Sequence, residues 1–281
     1  MIDLSKERAL YLKLSDDLTI HYEKAGTGEK TILFAPGWAM STKCFEKQLE
    51  AFEGSTEYTF ITYDPRGQGL SSKTEDGHFY QQHGRDLNQF IEALDLKNIV
   101  LGGWSFGGNE VLSYINQFGI DRLIGFIMID AAPKSTGVDN TKEWIWYSYD
   151  DADGTERWLT MGPLLDREGT IAEFADWMLA NKSPENIAFA SLIAAQTSST
   201  VMALLSATSA HDDYSEDLKA LEGQSPLLYI VRKEWGEVVS DWAASNTPSA
   251  RVAATMDSHL DFWENPGSFN NELQAFLAGI K

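Results

Sequence analysis

Five short runs, each apolar or β-branched and each closing at Gly, Pro or Asp, constrain the fold of this chain more than any other feature. LTIHYEKAG, KTILFAPG, YTFITYDPRG, KNIVLGGWS and LIGFIMIDAAP have the length and residue types of buried strands. Segments with helical spacing lie between them. In FYQQHGRDLNQFIEALDL, for example, Leu87, Phe90, Ile91 and Leu94 fall on one stripe, as a helix packed against a sheet requires. Strand, helix, strand in repetition predicts an α/β fold: a mostly parallel central sheet with helices on both faces.

The alternation breaks after Pro133. From there to about Gln224 the sequence is helical in character, carries Trp144, Trp146, Tyr147, Trp158 and Trp177, and offers no convincing strand. Strand character returns in SPLLYIVRK and, more weakly, in ARVAATM, before a closing helix, FNNELQAFLAGI. The expected organisation is a core of two parts, residues 1–132 and 225–281, with a helical cap, residues 133–224, inserted late between them.

Charge and composition exclude several functions. With 22 basic against 42 acidic residues and a net charge of -20, the surface repels phosphate backbones and anionic lipid, so neither nucleic acid nor membrane is an expected partner. The stretch MIDLSKERALYLKLSDD lacks the apolar region and cleavage site of a secretory signal, and no window has the length of a membrane-spanning helix. The one cysteine, Cys44, excludes an intrachain disulfide and reads as a small packed residue. A cytoplasmic location follows as the expectation. No His/carboxylate cluster has metal-ligand spacing and no loop is built to cradle phosphate, so no cofactor is expected. The expected partner is a small-molecule substrate, and the sequence leaves a homo-oligomer open.

The chemistry centres on Gly103-Trp104-Ser105-Phe106-Gly107. A serine between glycines, straight after a strand and straight before a helix, is what a nucleophile on a sharp, strained turn requires. The same turn puts the N–H of Phe106 at a helix N-terminus, where it can bind a developing oxyanion. Alone, the five-residue pattern reads equally as a glycine-rich packing turn. Three further motifs give it context. Pro36-Gly37-Trp38-Ala39-Met40-Ser41 follows a strand and offers the N–H of Trp38 as a second donor; Asp64-Pro65-Arg66-Gly67-Gln68-Gly69-Leu70-Ser71 follows the next strand; and Ser258-His259 lies beyond the last one.

With four such motifs in this order, from about Leu18 to Leu277, the chain resembles the α/β-hydrolase superfamily, in its serine esterase, haloperoxidase-like and C–C hydrolase branches. The resemblance implies a hydrolase acting on ester bonds, with Ser105 as nucleophile, His259 as general base and then acid, and the Trp38 and Phe106 amides as the oxyanion hole. His21, His78, His83 and His211 read as surface or packing residues. The sequence has Pro36-Gly37 where the family usually has His-Gly, which bears on loop geometry more than on chemistry.

The third triad member departs from the pattern. Relatives usually place an aspartate in a segment like P-x-L-x-I-x-G-x-x-D, and counting from Pro226 puts Trp235 there. Two carboxylates compete. Glu234 is one step away, beside Arg232 and Lys233; Asp130 ends the strand FIMI and precedes Ala131-Ala132-Pro133, a position that some branches use. Asp130 is preferred, because a strand end at the cleft sequesters an acid better than a run of charges does.

Trp144, Trp146, Trp158, Met161, Trp177 and Met178 make the cap rich in aromatic and apolar side chains. About two thirds of them are expected to pack the cap and the rest to line an apolar pocket over Ser105. That favours a medium-sized, largely apolar ester, lactones included, over a polyanion. C–C hydrolysis or peracid formation on the same triad, or a binding protein with little turnover, remain as other readings.

Overall fold

The computed structural model describes residues 9–151 and 154–280; the first eight residues of the N-terminal stretch lie outside the described residues. The strands are β1 (Ala9–Lys13), β2 (Thr19–Ala25), β3 (Lys30–Ala35), β4 (Tyr58–Tyr63), β5 (Ile99–Trp104), β6 (Leu123–Ile129), β7 (Lys134–Gly137), β8 (Ile145–Ser148), β9 (Leu227–Arg232) and β10 (Arg251–Met256). Eight of them form one sheet in the order β1-β2-β4-β3-β5-β6-β9-β10. β2 pairs antiparallel with β1 and β4, and the remaining pairs are parallel. The five expected runs are β2 to β6, and the two later ones are β9 and β10.

The sheet is covered on both faces because its strands are apolar on both. Ile32, Phe34, Phe60, Val100, Ile127, Ile129, Leu228 and Ile230 belong to one buried cluster; Leu33, Ile61, Tyr63, Leu101, Phe126, Met128, Tyr229 and Val231 belong to the other. Successive residues alternate between the clusters, which is the period of a pleated strand. The helices on the first side are α1 (Glu46–Phe52) and, at the end of the chain, Pro266–Leu277; on the second they are α2 (Tyr80–Ala93), α3 (Gly107–Phe118) and Gly236–Asn246. In α2 the buried positions include Tyr80, His83, Leu87, Phe90 and Ile91, spaced to give one inward stripe.

Between β6 and β9 the chain builds a layer over the sheet's C-terminal edge: α4 (Thr155–Leu165), α5 (Arg167–Met178), α6 (Pro184–Ala194) and α7 (Ser199–Ser209), followed by α8 (Ser215–Ala220). Side-chain caps start three of them. Asp166 accepts from the amide of Gly169, Ser183 from Asn186 and Ser198 from Val201, satisfying N–H groups that the helix leaves open. This stretch is not all helix. β7 and β8 form a separate two-stranded parallel sheet, which corrects the expectation of no strand there; at four residues each, KSTG and IWYS are too short for a period to register. The end of the stretch rejoins the core, with Tyr214, Leu218 and Leu221 packed in the second cluster. Among the described residues no single helix is long and apolar enough to cross a membrane.

Candidate active site

The sheet changes winding direction between β3 and β5, and the loops leaving those two strands carry Trp38 and Ser105 at the resulting crevice. Such a switch point is where open α/β sheets place their ligands. Ser105 stands between β5 and α3 with φ 55°, a left-handed conformation that costs a β-carbon residue on the order of 1 kcal/mol or more. Its amide is held by the carbonyl of Ile129 at 3.0 Å. The flanking glycines are required by close approach: a Cβ on Gly103 would stand 2.3 Å from the carbonyl oxygen of Gly107, and one on Gly107 would stand 2.5 Å from that of Ala35. Gly37 is pressed against the serine itself, its imagined Cβ 2.7 Å from Ser105 Cβ. The turn after β3 therefore lies directly beside the hydroxyl.

That turn is pinned from below. Ala39 has φ 57°, and its amide donates to Gln68 Oε1 at 2.6 Å. Asp64, fully buried, accepts from the amides of Thr42 and Leu70 at 2.7 Å each and faces His21 Nδ1 at 2.8 Å. The loop D-P-R-G-Q-G thus fixes the turn that presents Trp38, and the Trp38 indole donates to the carbonyl of Met202 in α7 at 2.8 Å. Among the described residues the amides of Trp38 and Phe106 have no hydrogen-bond acceptor.

His259 and Asp130 meet although 129 residues separate them: Nδ1 lies 2.5 Å from Asp130 Oδ2, and both side chains are fully buried. Asp130, in the turn after β6, has φ 39° and donates its amide to the carbonyl of Ile230 at 2.7 Å. An ionised carboxylate only accepts, so Nδ1 carries the proton and Nε2 is the free base. Nε2 is buried and has no partner among the described residues. Burial pushes the Asp130 carboxyl up, but the hydrogen bond and charge of His259, together with Arg232, outweigh it and leave the group below its ordinary range. Burial pushes the imidazole down and outweighs the pull of Asp130, so His259 lies below its ordinary value and is neutral near pH 7.

The histidine loop is held from three sides. The Trp104 indole donates to the His259 carbonyl at 2.9 Å, and its ring lies 5.0 Å from the imidazole. The Leu260 amide donates to Met178 at the end of α5 at 3.0 Å. Glu264 accepts from Ser258 at 2.5 Å and from the amides of Ala180 and Asn181 at 3.0 and 2.8 Å. Trp177, from α5, covers the imidazole at 4.6 Å.

A cavity of about 600 Å³ opens over Ser105. Trp38, Phe106, Trp146, Trp158, Phe174, Trp177 and Trp235 give it aromatic walls, and Arg232, Glu234 and Glu173 supply charge. Of the six cap residues singled out in the sequence, Trp146, Trp158 and Trp177 line this cavity. Trp144 and Met178 are buried in the packing, and Met161 is exposed.

Glu234 does not reach the imidazole by any hydrogen bond. Its carboxylate accepts from Arg232 Nη1 at 2.6 Å and stays 66% exposed. Of the other histidines, His21, His78 and His83 are buried, His21 beside Asp64 and His83 beside Glu110, and His211 is exposed. Cys44 is buried, and burial raises its thiol to about 12, an inert packed group. Among the described residues no group of three or more His, Cys, Asp or Glu could hold a metal ion. The residues that sequence reasoning missed are Gln68 and Arg232. Arg232 had a visible signal, a single charge closing the otherwise apolar strand LLYIVR.

A family model of the alpha/beta hydrolase fold matches residues 30–266. The chain belongs to this family. This hydrolase-fold chain superposes on a bromoperoxidase from Bacillus anthracis with a TM-score of 0.84 and 27% identity, over 96% of this chain and 99% of that one. It superposes on an esterase from Exiguobacterium antarcticum with a TM-score of 0.81 and 23% identity over 96% and 99%, a likeness of fold. Among curated relatives, it is 31% identical over 118 residues to the non-heme chloroperoxidase CPO-A1 of Kitasatospora aureofaciens. It is 29% identical over 126 residues to the bifunctional esterase/perhydrolase DCH of Acinetobacter calcoaceticus. These matches span 42% and 45% of the two relatives, less than half the length of each.

Proposed function

We propose that the protein is a serine hydrolase that cleaves a carboxylic ester of a medium-sized, largely apolar substrate through an acyl-enzyme, lactones included. The observation that carries this reading is the buried His259–Asp130 contact at 2.5 Å with Nε2 left free, under the same Trp177 that lines the aromatic cavity into which the strained Ser105 opens.

In this reading Ser105 Oγ attacks the ester carbonyl as its proton passes to His259 Nε2. The carbonyl oxygen becomes an oxyanion between the amides of Trp38 and Phe106. Collapse breaks the bond to the alkoxy oxygen, which leaves as alcohol with the proton from the imidazolium. Water then attacks the acyl-serine by the same relay and releases the acid. Asp130 holds the Nδ1–H tautomer and stabilises the imidazolium, remaining a carboxylate throughout.

A second reading is supported by the names of two relatives, the bromoperoxidase and the esterase/perhydrolase. Hydrogen peroxide in place of water would take the acyl group as a peracid on the same residues. One experiment addresses both. Release of p-nitrophenol from p-nitrophenyl esters is measured for the wild type and for Ser105→Ala, with and without peroxide. Turnover that falls by about a millionfold in the variant supports the acyl-enzyme, and peracid formed only with Ser105 present supports the second branch. Equal rates in the two proteins overturn both.

A further inference from the structure

Asp130 Oδ2 is shared. On one side it meets His259 Nδ1 at 2.5 Å, and on the other it accepts from Arg232 Nε at 2.6 Å, while Arg232's own backbone amide donates to Asp130 Oδ1 at 3.0 Å. Arg232 is the last residue of β9, and β9 pairs with β6 so that Ile230 stands opposite Ile129. The two strand ends deliver the guanidinium and the carboxylate to the same point. The guanidinium is held as well: it lies 5.2 Å from the Trp177 ring and 5.1 Å from the Trp235 ring, and Nη1 donates to Glu234. Trp177 also covers the imidazole, so one indole lies against both side-chain partners of Asp130.

We propose that Arg232 is a positioning residue of this site: its guanidinium, packed against Trp177 and Trp235, fixes the Asp130 carboxylate in the orientation that meets His259 Nδ1. The inference builds on the hydrolase reading for its kinetic consequence, but the contact itself does not depend on turnover. Arginine suits the place because a planar fork can bond Asp130 through Nε and Glu234 through Nη1 while its delocalised charge lies over indole rings. A lysine keeps the charge and loses the fork. The position also changes the imidazole's affinity for a proton. The charged groups that act on His259 are Asp130 and Glu234, which favour the proton, and Arg232, which opposes it. On the same loop, Asp257 is paired to Lys233 and Glu264 is tied to Ser258. Removing the guanidinium therefore raises the imidazole's affinity for a proton.

The test compares full-length wild type, Arg232→Gln and Arg232→Lys, with thermal unfolding of each to confirm folding. For a p-nitrophenyl ester, R232Q should lose about tenfold to a hundredfold in kcat, the loss expected from one charge-assisted hydrogen bond, with KM within about threefold. Its acid limb of kcat/KM should move to higher pH. R232K should recover part of kcat and return the limb toward wild type. Independently, the His259 imidazole is titrated by NMR in ¹³C-histidine-labelled protein, its signal assigned with His259→Asn; R232Q should raise the midpoint. A folded R232Q with kcat, limb and midpoint all as in wild type overturns the proposal. A raised midpoint in a protein whose wild type hydrolyses no ester keeps the Arg232 role and removes only the hydrolase reading. Should R232Q fail to fold, an R232K whose kcat and limb both equal wild type overturns the fork argument.

Discussion

Two carboxylates stand near neighbouring strand ends beside the same imidazole, and their surroundings could hardly differ more. Asp130, after β6, is fully buried, touches His259 and Arg232, and accepts a backbone amide. Glu234, after β9, is mostly exposed and ends in an ion pair with Arg232. An exposed pair of this kind is worth about 0 to 1 kcal/mol. A buried carboxylate sharing one oxygen between an imidazole and a guanidinium acts without screening, and losing it leaves both partners uncompensated. The difference teaches that the acid's role follows burial and partners more than nearness in sequence to a family pattern.

Substitutions that keep the shape and remove the charge put the widest gap between the two. Asp130→Asn should lower kcat for an ester by about four orders of magnitude, because the amide favours the wrong imidazole tautomer. Glu234→Gln should lower it by less than about threefold, as expected for an exposed pair. Steady-state rates of the two purified variants check this, and a reversed order breaks the comparison.

Gln68 sharpens it from the opposite side of the site. Gln68→Ala removes the acceptor of the Ala39 amide and should cost roughly tenfold in kcat, less than the hundredfold or more typical of losing an oxyanion donor outright. KM should change little if, as proposed, the turn meets the oxyanion and not the bound ester. A KM effect larger than the kcat effect would mean that the loop shapes the pocket instead.

The smallest effect is on pH. His259 acts as a base only when neutral, and burial places it below its ordinary value of 6.5. The value of kcat/KM should therefore rise with pH through a limb centred below 6.5. In Asp130→Asn the carboxylate that favours the proton is gone, so the limb of the residual activity should move lower still. A wild-type limb above 6.5 would show that Asp130 dominates burial at the imidazole.

Most of the sheet was legible because its strands are buried on both faces and read as unbroken apolar runs. β1, ALYLK, has alternating partial exposure, and β7 and β8 have four residues each; none presents a run long enough to register. In the site, Ser105 was legible because a left-handed turn between close-packed backbones forces glycines around it. His259 was legible by its place after the last strand. Asp130 was readable only as one of two candidates, since sequestering an acid depends on which strand ends lie side by side. Arg232 and Gln68 were missed for the same reason: each acts through a contact made across 102 or 29 residues. Local sequence carries the geometry of the serine turn, and only the folded sheet carries its support.

In the proposed mechanism, Asp130 and His259 together make Ser105 a nucleophile. The most direct measurement is the rate at which a fluorophosphonate labels the protein, read by intact mass for wild type, Asp130→Asn and Ser105→Ala. Wild type should label fast and at a single site, D130N should label slower by orders of magnitude, and S105A should not label. Labelling of S105A at the wild-type rate, or of D130N undiminished, would contradict it.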